Sequence, residues 1–184
     1  MPALESLGAL TRRVNRIGNL HLWRCTPSGR FARSRLSAVL LGGFIAGTID
    51  IGAAALINFV SPLLILHFIA GGLLGKAALA GGAPVELLGL VLQWAMSLCI
   101  AAVYVVACDW LPILRRRWLG GGVAYGVVIF LVMNYVVVPL SAWARWPHFT
   151  PEKFVENLLA MLLFGLIVAF FAQRSAPAAK SPRE

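Results

Sequence analysis

Four stretches of mostly apolar residues, roughly 37–60, 84–108, 119–140 and 154–173, leave this chain few ways to fold. A helix needs about 20 such residues to cross the hydrocarbon core of a bilayer, and each stretch has them. Each is also bounded by helix punctuation. Arg33 and Arg35 precede the first, and Ser61-Pro62 ends it. Gly81-Gly82-Ala83-Pro84 opens the second and Trp110-Leu111-Pro112 closes it. Arg115, Arg116 and Arg117 precede the third, which ends near Pro139. Pro147 and Pro151 flank a short connection to the fourth, which stops at Gln173-Arg174. The expected fold is therefore an all-α integral membrane bundle of four spans, with residues 37–173 as one transmembrane domain. Residues 1–36 are a basic leader, and residues 174–184 are expected to be a disordered cytoplasmic tail.

Composition agrees with lipid as the solvent: 60% of the residues are hydrophobic and 12% charged, against about 25% charged in a soluble domain. The net charge is +9, which invites nucleic acid as a partner. Its location argues for the bilayer instead. Seven arginines, among them Arg12, Arg13 and Arg16, precede the first apolar run, and Arg115, Arg116 and Arg117 fill one short loop. Basic clusters beside spans set orientation and attract anionic headgroups. The expected partners are the bilayer and its anionic lipids, with no nucleic acid.

The same charges orient the chain. The leader, the 109–118 loop and the tail hold thirteen basic residues, whereas the 61–83 and 141–153 connections hold three: Lys76, Arg145 and Lys153. Positive charge favours the cytoplasmic side, so both termini are expected there. Residues 61–83 are too apolar for an aqueous loop. Ser61 and Pro62 suit a helix cap and a first helical position, but Gly71, Gly72 and Gly75 interrupt the run before Lys76. It reads as a short interfacial or re-entrant helix on the outer side, because a fifth span would carry Lys76 into lipid or reverse the charge bias. In the leader, Leu7, Leu10, Val14 and Ile17 recur at helical spacing with Arg12, Arg13 and Arg16 largely off that stripe. A surface amphipathic helix, an Arg-rich presequence and a disordered basic tail all fit this pattern.

Ionisable groups are costly inside a bilayer and normally face a bundle interior. Asp50 stands out. At about 1.5 Å per residue it lies about 20 Å along the first span, just past the midplane. Gly43 and Gly47 share its face and form a small-xxx-small pattern that lets another helix approach. Glu86 and Gln93 share a face of the second span, with Ser97 a turn further; the third span adds Asn134 and the fourth begins with Glu156 and Asn157. With His67 on the outer connection, these positions suggest a polar pocket open to the outer side and floored by Asp50. The ligand- or ion-binding candidates are thus Asp50, Gln93, Asn134, Glu86 and His67. No cofactor is expected, and no His/Cys/Asp/Glu spacing supports a metal site. Cys25, Cys99 and Cys108 suggest neither a disulfide framework nor a metal site. The usual nucleophile, zinc-protease, redox and phosphate-loop signatures do not occur, so no catalytic residue is assigned.

The segments Ala46-Gly47-Thr48-Ile49-Asp50, Gly72-Leu73-Leu74-Gly75-Lys76-Ala77-Ala78 and Met133-Asn134-Tyr135-Val136-Val137-Val138-Pro139-Leu140-Ser141 resemble a group of small four-span bacterial inner-membrane proteins, distantly similar to the YagU type. The resemblance covers about residues 38–172. It implies the bacterial inner membrane and the same architecture, but no activity. Some members have His where this chain has Gln93, which weakens that position as a proton or metal site.

Three function classes follow. The first is a protein that binds or moves a small solute, ion or lipid through the pocket, with Asp50 as charge or proton carrier and Gln93 and Asn134 as hydrogen-bonding groups. Four helices are few for a complete transporter, so transport would call for a homodimer or a membrane-protein partner. The second is a structural or regulatory subunit whose glycine seams and basic leader bind partners or anionic lipid. The third is a lipid-modifying enzyme using Asp50 or Glu86 as general base.

Overall fold

A computed structural model describes residues 29–175, with side chains from Ser34 onward. The expectations for the leader, including Arg12, Arg13 and Arg16, and for the tail beyond Ser175 lie outside these residues. The described residues are mainly helical, without a strand among them: α1 (Gly29–Asn58), α2 (Pro62–Leu74), a 3-10 turn (Gly75–Ala80), α3 (Ala83–Trp110), α4 (Pro112–Arg116), α5 (Trp118–Val132), a π turn (Met133–Val137), α6 (Val138–Leu140) and α7 (Pro151–Arg174). Ser61 caps α2 by accepting from the Leu64 amide, with Pro62 at the first helical position, and Thr150 with Pro151 starts α7 in the same way. The π turn precedes Pro139, whose ring lacks an amide proton and would crowd the carbonyl four residues back. Widening the helix relieves that conflict.

Five helices are long and apolar enough to cross a membrane: Ser34–Asn58, Pro62–Ala80, Ala83–Trp110, Trp118–Leu140 and Pro151–Arg174. The chain is thus a multi-pass helical membrane protein by length and composition. The expected count of four is one short on that criterion. The additional helix is Pro62–Ala80, the segment whose glycines and Lys76 argued against a span.

Its geometry is not that of a straight rod. Gly75 has φ +68° and ψ −150°, a conformation open essentially to glycine alone, and the chain reverses there. His67, in the middle of α2, places its Nε2 3.0 Å from the Gly81 carbonyl oxygen. Fourteen residues of continuous helix would hold those atoms about 20 Å apart. Segment 62–81 is therefore a helical hairpin. Trp143 closes over it: its indole Nε1 donates to the Phe68 carbonyl at 2.9 Å, and the Ala142 amide donates to Gly72 at 2.8 Å.

The four longer elements form a closed antiparallel ring. Along the α1–α3 seam Gly43 meets Leu98 and Gly47 meets Ser97, while Asp50 meets Gln93, so the two chains run in opposite directions. Tyr125 of α5 donates to the Ile100 carbonyl of α3 at 2.7 Å, and Gly121 abuts Tyr104. Among these four the closest backbone approach joins α5 to α7. A Cβ on Gly126 would fall 2.7 Å from Leu162 Cα, and one on Gly165 would fall 2.4 Å from the Gly122 carbonyl oxygen. The ring closes where Ser34 donates to the Ser175 carbonyl at 2.8 Å. That contact puts the start of α1 and the end of α7 at one end of the bundle. The α2 hairpin sits at the other end, packed through Ile65 and Leu66 on Ile51 and Ala55 of α1. On α3 the buried stripe reads Gly89, Gln93, Ser97, Ala101, Tyr104, Cys108, the spacing of one helix face.

Candidate functional site

Gln93 sits on that stripe, 5% exposed. Its Nε2 donates to Asp50 Oδ2 at 2.9 Å and to the Gly47 carbonyl oxygen at 3.3 Å. Gly47 makes the arrangement possible. A Cβ there would lie 2.3 Å from Ser97 Oγ, so only a glycine allows α1 to press against Gln93 and Ser97 together. Asp50 is held at the seam, three residues beyond Gly47 on the same face of α1.

Asp50, Gln93 and Ser97 border one cavity of about 20 Å³, whose remaining lining is Met96, Ile100, Ile129, Met133, Met161 and Phe164. All four ring helices contribute. A volume near 10–15 Å³ on this measure already holds one water when polar partners are present. The cavity therefore accepts a single water or an ion of comparable size. A larger groove of about 450 Å³ at the far end is lined by Gly52, Ala55, Leu56, Phe59, Val60 and Pro62. It offers no polar side chain and suits acyl chains rather than chemistry.

The polar positions singled out from the sequence do not converge on one pocket. Asp50 and Gln93 meet. Asn134 lies beside the cavity-lining Met133, but its Nδ2 donates at 2.9 Å to the Phe130 carbonyl of its own helix. His67 belongs to the hairpin: Nδ1 faces the Leu63 carbonyl oxygen at 2.9 Å and Nε2 faces that of Gly81. Glu86, on the first turn of α3, acts electrostatically on that ring. Glu156 pairs with Lys153 at 2.9 Å, and Lys153 also donates to the Ile57 carbonyl. Four separate polar settings thus replace the single open pocket.

At the opposite end, Asp109 binds Arg35 at 3.0 Å and Arg115 at 3.6 Å. Arg115 is thereby partly engaged within the protein, while Arg116 and Arg117 are exposed. Asp109 carries no signal in the sequence because it falls in the 109–118 loop, outside the apolar run, where a charged residue is ordinary. The three methionines are equally silent, since a thioether in an apolar run carries no polarity signal. Their only trace was number: the chain has four methionines, and three stand mid-span.

Among the described residues no group of three His, Cys, Asp or Glu side chains could hold a metal ion. Compared with known proteins, the chain matches no family model, no curated sequence and no solved structure.

Proposed function

We propose that this chain is a multi-pass membrane protein that binds, and as part of a transporter moves, a small cation at Asp50. One observation carries the reading. The carboxylate on α1 and the amide of Gln93 on α3 are bonded at 2.9 Å beside a cavity of about 20 Å³ in the centre of the ring. An ionisable residue inside a bundle is by default a functional group, and the cavity size selects an ion, a proton or a water over a lipid headgroup. Lipid chemistry at Asp50 is accordingly not part of the proposal.

The membrane topology belongs to the same proposal: four crossings, the 62–81 hairpin on the outer side, and both termini in the cytoplasm of a bacterial inner membrane. Four contacts support it. Asp50–Gln93 and Gly43–Leu98 make α1 antiparallel to α3, so the end of α1 and the start of α3 share one side, and residues 59–82 between them make no net crossing. Ser34–Ser175 brings the first and last helices to one end. His67–Gly81 returns the hairpin to the side it left. The arginine-rich leader with Arg116 and Arg117 would meet anionic lipid on the cytoplasmic face. The subunit reading, in which glycine seams bind partner proteins, loses support at these positions. Gly43, Gly47, Gly122, Gly126 and Gly165 are all covered by this chain's own helices.

The test is thermal unfolding of the purified full chain with sodium, potassium, magnesium, calcium, zinc and silver(I) salts, for the wild type and Asp50→Asn. A ligand that binds only the folded state at 100 times its Kd stabilises it by about 2.7 kcal/mol. One ion should raise the midpoint of the wild type and leave Asp50→Asn unmoved. If no ion does so, or if the variant responds equally, Asp50 merely locks α1 to α3.

A further inference from the structure

The lining of the central cavity has a chemical bias. Of the four methionines in 184 residues, Met96, Met133 and Met161 all line it. They come from three different elements: α3, the first position of the π turn, and α7. Asp50 completes the set from α1. Methionine is the usual filler of irregular core gaps, but fillers have no reason to collect at the cavity that also holds the Asp50 carboxylate. The π turn adds to this. It departs from regular helix geometry at Met133, and such bulges recur where a helix must present a side chain to a site.

We propose that the cavity is a binding site for a soft monovalent metal cation, Cu(I) with Ag(I) as its redox-inert equivalent, held by the thioethers of Met96, Met133 and Met161 and charge-balanced by Asp50. The proposal deepens the cation reading above and rests on it. Thioether sulfur is a soft, neutral ligand that selects Cu(I) over hard cations. Because the sulfurs bring no charge, a monovalent ion in this low-dielectric interior needs one anion, and Asp50 supplies one. A divalent ion would remain uncompensated by one unit, a heavy cost away from water. Calcium and magnesium require six or more oxygen ligands. The polar side chains at the cavity are Asp50, Gln93 and Ser97, too few for such a shell. Gln93 holds the carboxylate in place through the 2.9 Å bond. The volume of about 20 Å³ matches a single ion without its hydration water. Neither Cys99 nor Cys108 lines the cavity.

The experiment uses the full chain in nanodiscs with 13C-labelled methionine methyl groups, titrated with Ag(I). Four resonances are expected. Those of Met96, Met133 and Met161 should shift together and saturate at one equivalent, while Met1 stays. Replacing the three with leucine, a swap cores tolerate well, should weaken Ag(I) binding about 100-fold or more without unfolding the chain. Asp50→Asn should leave the three methyls unshifted at one equivalent of Ag(I). Ag(I) that leaves these methyls unmoved, being taken up by thiols, overturns the proposal. So does equal affinity in the leucine variant or in Asp50→Asn. A hard cation that stabilises the wild type but not Asp50→Asn, with silent methyls, overturns the soft-metal site and leaves the Asp50 reading standing. No ion effect of any kind removes both.

Discussion

Gln93 donates from Nε2 to Asp50 Oδ2 at 2.9 Å, joining α3 to α1 at the level of the central cavity. Both residues depend on Gly47, whose missing side chain lets the two helices close around Ser97. The buried polar centre of the bundle is thus a property of the seam rather than of either helix.

The pair can be weighed by a double-mutant cycle with Asp50→Leu and Gln93→Leu. Interhelical hydrogen bonds in membranes are worth about 0.6–2 kcal/mol, and residues in contact couple on that scale. A coupling in that range is expected from reversible unfolding in mixed micelles. Additive effects would mean that the two side chains do not act on each other.

The glycines divide into two kinds. Gly126→Ala places a Cβ 2.7 Å from Leu162 Cα, a backbone atom that cannot step aside, whereas a Cβ on Gly52 meets nothing within 4 Å. Gly126→Ala should therefore cost about 1–3 kcal/mol as the helices separate. Gly52→Ala should be neutral or gain up to about 1 kcal/mol from helix propensity. Thermal midpoints of the two variants check the contrast, and similar values would contradict the packing described for α5 and α7.

The hairpin depends on Gly75. Alanine at φ +68° is strained by about 1–3 kcal/mol, and His67→Phe removes the contact to Gly81 without changing the turn. Gly75→Ala should speed hydrogen exchange across residues 62–81 while leaving the α5–α7 seam protected. Loss of protection throughout the bundle would show that the hairpin is not a separate element.

Reporter fusions test the topology. Fusions after Gly81 and near Pro147 should report the outer compartment, and those near Arg116 and after Arg174 the inner one. A cytoplasmic report at Gly81 would make Pro62–Ala80 a fifth crossing and place the termini on opposite sides.

Much of the architecture is legible in the residues because lipid demands long apolar helices and punishes exposed charge. The boundaries marked by Pro84, Pro112 and Pro151 follow from proline chemistry alone. The 62–80 segment shows where such signals give out. Length and hydropathy mark it as a span, Gly75 and Lys76 argue against a straight one, and the reversal shows in the Gly75 backbone and the contact between His67 and Gly81. Asp50 and Gln93 announce themselves as polar groups in apolar helices. Asn134 does too, yet its Nδ2 donates to the Phe130 carbonyl four residues back, a bond that a helix permits at any depth. The cavity-lining methionines give no such signal, since in sequence a thioether is one more apolar position. Their convergence depends on the relative rotation of three helices, which periodicity leaves undetermined.

The most direct measurement is a count of bound ions. Native mass spectrometry of the intact chain released from nanodiscs, in the presence of the ion that stabilises the wild type, should show one cation per chain. Asp50→Asn keeps the shape and hydrogen-bonding capacity of the side chain but removes its charge, and it should show none. A stable Asp50→Asn chain that retains one bound cation would contradict the assignment of Asp50 as the cation-binding carboxylate.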